Sequence, residues 1–376
     1  MTRLPLLALA ATLLVAPALH AQAMRPTPLG TPDATFAEPV TAPIGFRVLA
    51  DGRVLLADNI EGTVAVLDFR TGAMTPVGRQ GDGPGEYGMP GPLFGAAGDT
   101  TYMLDMGNRR LLVITPDGRI ADNTIPLRST SGWPILPRGV DAAGRIYFDL
   151  AGIVMPGLNE VAAAGRAPLL RWDRSADRMD TVAFVQFPPL PPAGPGEMRI
   201  SIGGGAYQPT DQWAVTADGR VGLARATGYR VEWHGGASPV VGPEVRYEPV
   251  KIGTAEKNAW ADLMAARGMA VEIENGRRRT RRLPRPDIDR MEWPEVMPPF
   301  SGPRAVLAAP QGELWVLRSR PANTRARVYD VFDGRGRLVR QVSLEGDRAV
   351  LAFGPGAVYV ARTDEDDLVW LERYKM

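Results

Sequence analysis

Six charged residues stand at matched places in the chain, each closing a short apolar run. They are Asp58, Asp105 and Asp149, followed by Arg225, Arg318 and Arg362. Brought together, the three carboxylates would offer oxygen ligands to a divalent cation, the requirement of a metal-dependent hydrolase or lyase. The three guanidiniums would offer forked donors to the carboxylate or phosphate of a ligand. A structural use competes with both. An Asp at a strand end accepts N–H bonds from the turn that follows, and an Arg pairs with a neighbouring acid.

The rest of the inventory narrows the chemistry. There is no Cys, so thiolate metal sites and disulfides are excluded, and the only histidines are His20 and His234. A multi-His metal centre is therefore excluded. Ser-His-Asp chemistry would rest on His234, which precedes Gly235-Gly236 in a turn and is expected to be solvated. The run from Gly81 to Gly85 is no phosphate loop, because Pro84 removes a donor and no Lys-Ser/Thr or helix follows. With 43 basic against 42 acidic residues, the chain lacks the basic excess that nucleic acid or an anionic membrane surface demands. No catalytic residue can be assigned. No cofactor is expected, except a divalent cation if the three acids converge.

The elements that position these six residues form a repeat. A short apolar strand is followed by Asp-Gly or Gly, a second apolar strand, the charged residue, a polar turn and a third apolar strand. Six copies align, with second strands at 54–57, 102–104, 146–148, 221–224, 314–317 and 358–361. Gly turns suit tight hairpins, and the β-branched and aromatic runs suit strands. One such sheet cannot bury both faces alone, whereas radial stacking buries both faces and protects the edges. The expected fold is all-β: a six-bladed β-propeller over residues 24–376, with loop and helix insertions on one rim. The sixth copy ends after its third strand. Residues 35–40, ahead of the first copy, are expected to pair with 368–371 as the missing outer strand.

The units resemble the NHL-type and TolB-like six-bladed propeller repeats. The match is best in Gly81-Asp82-Gly83-Pro84-Gly85-Glu86-Tyr87, then Pro90, Tyr102-Met103-Leu104-Asp105 and Asn108-Arg109-Arg110-Leu111. The resemblance implies the fold and carries no particular activity.

Long segments gather where blade connections and second-to-third turns emerge: 78–92, 126–137, 150–168, 188–210 and 250–302. Long loops on a rigid scaffold are where binding resides. The longest, 251–302, is an insertion between blades 4 and 5. It predicts a helix over 255–267, capped by Thr254, stopped by Gly268 and apolar along Trp260, Leu263 and Met264. Arg277, Arg278, Arg279, Arg281 and Arg282 follow, expected as a solvated turn or a seat for an anionic partner.

At the start, Arg3, an apolar run over 4–19 and Ala21-Gln22-Ala23 spell a cleaved export signal over residues 1–23, with the mature chain beginning at Met24. The expected protein is a periplasmic or secreted monomer with no membrane span after cleavage. It would bind an unidentified small molecule or protein through the elaborated rim without catalysis. A metal-dependent hydrolase or lyase is the alternative.

Overall fold

In a computed structural model, the described residues are 24–127, 135–195, 199–200, 206–267, 269–274, 277–302 and 304–376. The expected export signal over 1–23 and Gly268 lie outside them, as do parts of the loops at 126–137 and 188–210. Six four-stranded sheets form the propeller. Blade 1 comprises Pro43–Val48, Val54–Asp58, Thr63–Asp68 and Ala73–Pro76. Blade 2 comprises Pro90–Gly95, Thr101–Asp105, Arg110–Ile114 and Ile120–Pro126. Blade 3 comprises Gly139–Val140, Ile146–Asp149, Arg166–Asp173 and Arg178–Gln186. Blade 4 comprises Gln212–Val215, Val221–Arg225, Arg230–His234 and Val240–Val241. Blade 5 comprises Val306–Ala308, Leu314–Leu317, Arg327–Phe332 and Leu338–Leu344. Blade 6 takes Arg348–Gly354, Ala357–Thr363 and Val369–Lys375 from the C-terminus and Ala34–Thr35 from the N-terminal segment.

Why the sheets stack radially is visible in the core. Each strand alternates its side chains between two faces, and both faces are apolar. A separate buried cluster fills every junction. Leu55, Tyr87 and Met103 lie between blades 1 and 2, Leu111 and Ile146 between 2 and 3, and Leu169 and Trp213 between 3 and 4. Val231 and Leu314 lie between blades 4 and 5, and Trp315 and Val358 between 5 and 6. The junction of blades 6 and 1 holds Phe36, Phe46, Tyr359 and Leu371. Tyrosine hydroxyls cross four of these junctions. Tyr147 donates to the Gly219 carbonyl at 3.2 Å and Tyr229 to Asp330 at 2.8 Å. Tyr329 accepts the Val350 N–H at 3.0 Å, and Tyr359 donates to the Gly52 carbonyl at 3.3 Å. A buried hydroxyl needs a partner, so each fixes the rotation of one blade on the next.

The N-terminal segment is tied to the C-terminal strand. Ala34 stands opposite Arg373 and Thr35 opposite Glu372, antiparallel, and Val40 bridges Val369. Phe36, only 1% exposed, drops from this strand into the junction of blades 6 and 1. Further upstream, Thr27–Pro28 pairs in parallel with Val342 and Ser343, adding a fifth strand to blade 5.

The insertion between blades 4 and 5 departs from expectation in two places. After helix α1, Asn159–Ala164 in the internal loop of blade 3, helix α2 spans Thr254–Arg267 in this insertion, with Glu256 reaching back to the Gly253 N–H at 3.0 Å. Its inward stripe is shifted, however: Ala261 is fully buried, Trp260 is half-buried and Leu263 is 37% exposed. The helix rests on neighbouring loops, so the stripe through 257, 260, 261 and 264 wins over Leu263. The five arginines were expected in a turn, yet Arg277–Arg282 is a strand paired with Met269–Glu274. Alternation of Val271 and Ile273 with Glu272 and Glu274 is a strand signal. The register sets Glu272 opposite Arg279 and Glu274 opposite Arg277.

Candidate functional site

All six strand-end residues stand where a second strand turns into a third. In a four-stranded blade that turn and the connection to the next blade emerge on the same rim. The three acids are all buried and serve as turn caps. Asp58 accepts N–H bonds from Ile60 and Glu61 in the turn after it, at 3.0 and 3.1 Å. It also accepts from Thr41 and Ala42, which lead into the first strand, at 3.0 and 2.7 Å. Asp105 repeats the plan with Gly88, Met89 and Asn108 backbone N–H groups, and adds the Arg110 guanidinium at 3.1 Å. Asp149 accepts from the Ala151 N–H at 2.9 Å, the Trp213 indole at 2.7 Å and Arg138 at 2.5 Å. Each carboxylate thus stitches a blade's entry, or the next blade, to its own turn.

The three arginines are each paired. Arg225 reaches Asp211 at 2.7 Å and Glu232 at 2.6 Å, Arg318 reaches Asp330 at 3.1 Å, and Arg362 reaches Glu372 at 2.7 Å. The geometry is the same three times. The Arg ends the second strand, and the acid lies on the third strand two residues beyond the position facing it. That places the two side chains diagonally on one sheet face. The condition for an anion clamp at Arg225, Arg318 and Arg362, guanidiniums lacking protein carboxylates, is not met.

In blade 4 the capping role has moved. With Arg225 at the strand end, Asp211 from the entry segment accepts the Ala226 and Gln186 N–H groups, both at 2.9 Å. Sequence reasoning missed Asp211, Glu232, Asp330 and Glu372. The signal was present, because the last three each interrupt an otherwise apolar strand run.

The electrostatics of the three buried partners differ. Burial opposes ionisation of Glu232, but hydrogen bonds from His234 and Arg225 and the charges of Arg225 and Arg230 outweigh it and hold the carboxyl far below its usual range. Glu372 is likewise lowered against its burial by Arg348, Tyr374 and Arg362. At Asp330 burial wins and raises the pKa, despite Arg318, Gln341 and Tyr229. His234 is not solvated: its Nε2 lies 3.1 Å from Glu232, and the side chain is 12% exposed. It was misplaced because the last strand of blade 3, through Thr181 to Gln186, stands beside the ring, a neighbour that blade stacking alone supplies. His234 and Arg225 line a groove of about 330 Å³ between the two blades, together with Arg166, Phe184 and Gln186.

Among the described residues, no group of three or more His, Asp or Glu is placed to hold a metal ion. Also among them, no helix is long and apolar enough to cross a membrane.

Three loops lock together on the elaborated rim. Tyr207 donates to the Glu256 carbonyl at 3.0 Å, and the Glu256 carboxylate accepts the Ala322 N–H at 3.2 Å. Trp260 stands edge-on to Trp293 at 5.5 Å, and Tyr207 is 6.0 Å from Trp293. Arg285 clips α2 through Asp262 and Asn258, both at 2.6 Å. Arg304, at the entry to blade 5, reaches the Pro43 and Ile44 carbonyls at the entry to blade 1.

No protein-family model matches the chain. No curated protein matches it either. Solved structures resemble it in fold. A member of the DUF4221 family from Bacteroides vulgatus is 10% identical, with 91% of this chain and 95% of that chain covered and a TM-score of 0.47. A gluconolactonase from Xanthomonas campestris is 12% identical, with 91% and 89% covered and a TM-score of 0.45. A putative exported protein from Bacteroides fragilis is 10% identical, with 94% and 95% covered and a TM-score of 0.42.

Proposed function

We propose that the chain is an exported, non-catalytic β-propeller that binds a ligand or protein partner through the rim carrying its blade connections. The observation that carries this reading is the locked platform of Tyr207, Glu256, Trp260, Trp293 and Ala322. Groups of three different loops are spent there on holding one another in a fixed arrangement. Pre-organised loops on a rigid scaffold lower the ordering cost of binding. The strand-end acids, in contrast, have their oxygens engaged by N–H donors of their own turns. That leaves little for the rival reading, a divalent-metal hydrolase or lyase built on Asp58, Asp105 and Asp149. Export rests on the N-terminal leader of Arg3, the apolar run and Ala21-Gln22-Ala23.

The insertion can be removed cleanly to test this. It leaves and returns through a neck where Lys251 bridges Val296 and the Ile252 N–H donates to the Glu295 carbonyl at 3.1 Å. A variant with 254–291 replaced by a short Gly-Ser linker should keep the β-sheet circular dichroism. It should also lose the species that cross-links to the wild-type chain in the exported fraction. An unchanged set of cross-linked species would overturn the rim reading. Turnover of lactones or phosphate esters that needs an added divalent cation would overturn the non-catalytic one.

A further inference from the structure

The turn between the second and third strands of blade 5 carries a pair of arginines unlike those of the ring. Arg320 folds back on its own loop, donating from Nη1 to the Thr324 carbonyl and to the Ala326 carbonyl at 3.2 Å. Arg327 opens the third strand, and its Nε is buried with no hydrogen-bond partner. Both side chains are half-buried. Among the described residues, neither has a carboxylate within the 4.0 Å of a salt bridge. The two charges feel each other: burial first, then the Arg327 charge, lower the Arg320 pKa, and Asp347 opposes them only from a distance. Tyr329, buried beneath, senses both guanidiniums.

A half-buried like-charge pair is costly unless something neutralises it. At the three strand-end arginines of this rim, Arg225, Arg318 and Arg362, the chain supplies the acid. At Arg320 and Arg327 it does not, although the loop is built with care. The Thr324 N–H closes a turn onto the Pro321 carbonyl at 3.0 Å, and the Ala322 N–H is held by Glu256 of α2. The exposed Arg325 lies on the same loop and adds attraction. We propose that Arg320 and Arg327 form an oxyanion site that takes the phosphate or carboxylate group of a small ligand, where blades 5 and 6 meet on the elaborated rim. Guanidinium forks match the oxygens of such a group better than an ammonium would, and the bonds of Arg320 to its own loop hold one of the two in place. The inference rests on the reading of that rim as the binding face and names its ligand chemistry.

The test is anion titration of the full chain by calorimetry and thermal shift, with inorganic phosphate in one arm and citrate in the other, at constant ionic strength set with sodium chloride. Saturable binding in either arm is expected, and the responsive arm identifies the group. Arg327→Gln should weaken it at least tenfold, and Arg327→Lys, which keeps the charge but not the fork, should fall between. Arg335→Gln, on the opposite rim, should bind as wild type does. If neither anion acts beyond the chloride control, or Arg327→Gln binds unchanged, the site is overturned. The rim reading survives that result as long as replacing 254–291 still abolishes cross-linking; if that replacement is also without effect, both fall.

Discussion

At the scale of single residues, the ring uses charge as mortar. Asp105 is fully buried and holds three backbone N–H groups, the Asn108 side chain and Arg110. Asp105→Ala would strand these donors and should cost about 3 kcal/mol, in the range for breaking a buried charged pair. Urea unfolding measures it, and a change below about 0.5 kcal/mol would deny the capping role. The buried acids of blades 5 and 6 should respond to pH with opposite signs. Glu372 has a folded pKa below its ordinary 4.5. Its contribution is therefore complete above that pH and is lost as pH falls through the lower folded value. Asp330 has a folded pKa above its ordinary 3.8, so the folded state holds that proton more tightly and loses stability as pH rises through the window above 3.8. Relative to wild type, the deficit of Glu372→Gln should widen between pH 3.5 and 7, and that of Asp330→Asn should narrow. Parallel deficits in both variants would show that neither carboxyl is perturbed as described.

At the scale of elements, the strand from the N-terminal segment is the joint that closes the ring. Ala34–Thr35 completes blade 6, and Phe36 fills the junction with blade 1. Deleting residues 24–40 exposes the edge of Val369–Lys375 and empties that junction. The melting temperature should drop sharply, and Phe36→Ala alone should cost about 3–5 kcal/mol, the usual loss for a buried Phe. A deletion variant that melts with wild type would mean that the ring closes without it. The 254–291 insertion should behave in the opposite way. Its hydrogen bonds to Tyr207 and Ala322 run to other rim loops, so its replacement should leave the melting temperature within a few degrees.

At the scale of the whole molecule, six interfaces of similar make-up share the load, with an apolar cluster in each and a tyrosine hydroxyl across four of them. The strand-end acids have oxygens engaged by N–H groups of their own turns. Addition of EDTA should leave the thermal unfolding of the purified chain unchanged. A fall of more than a few degrees would reinstate a metal at the acidic strand ends.

The fold was legible in the sequence because its determinants are local and repeated. Gly turns, β-branched runs and the charged strand end recur six times, and a sheet with two apolar faces has few ways to bury both. The position of the strand-end charges was legible for the same reason. Turn capping and ion pairing were legible as one use of them, but their particular partners were not, because a partner across a sheet is fixed by register and not by distance along the chain. Arg318 and Asp330 are twelve positions apart, Arg225 and Glu232 seven, and only strand pairing shows the two gaps to be the same diagonal. Blade 4 makes the point most sharply, since Asp211 of the entry segment supplies there the cap that the strand-end Asp supplies in blades 1 to 3. The tertiary structure also decided where charge is left over. From sequence, Arg320 and Arg327 are two of 43 basic residues. Only their burial side by side, with carboxylates spent elsewhere, sets them apart.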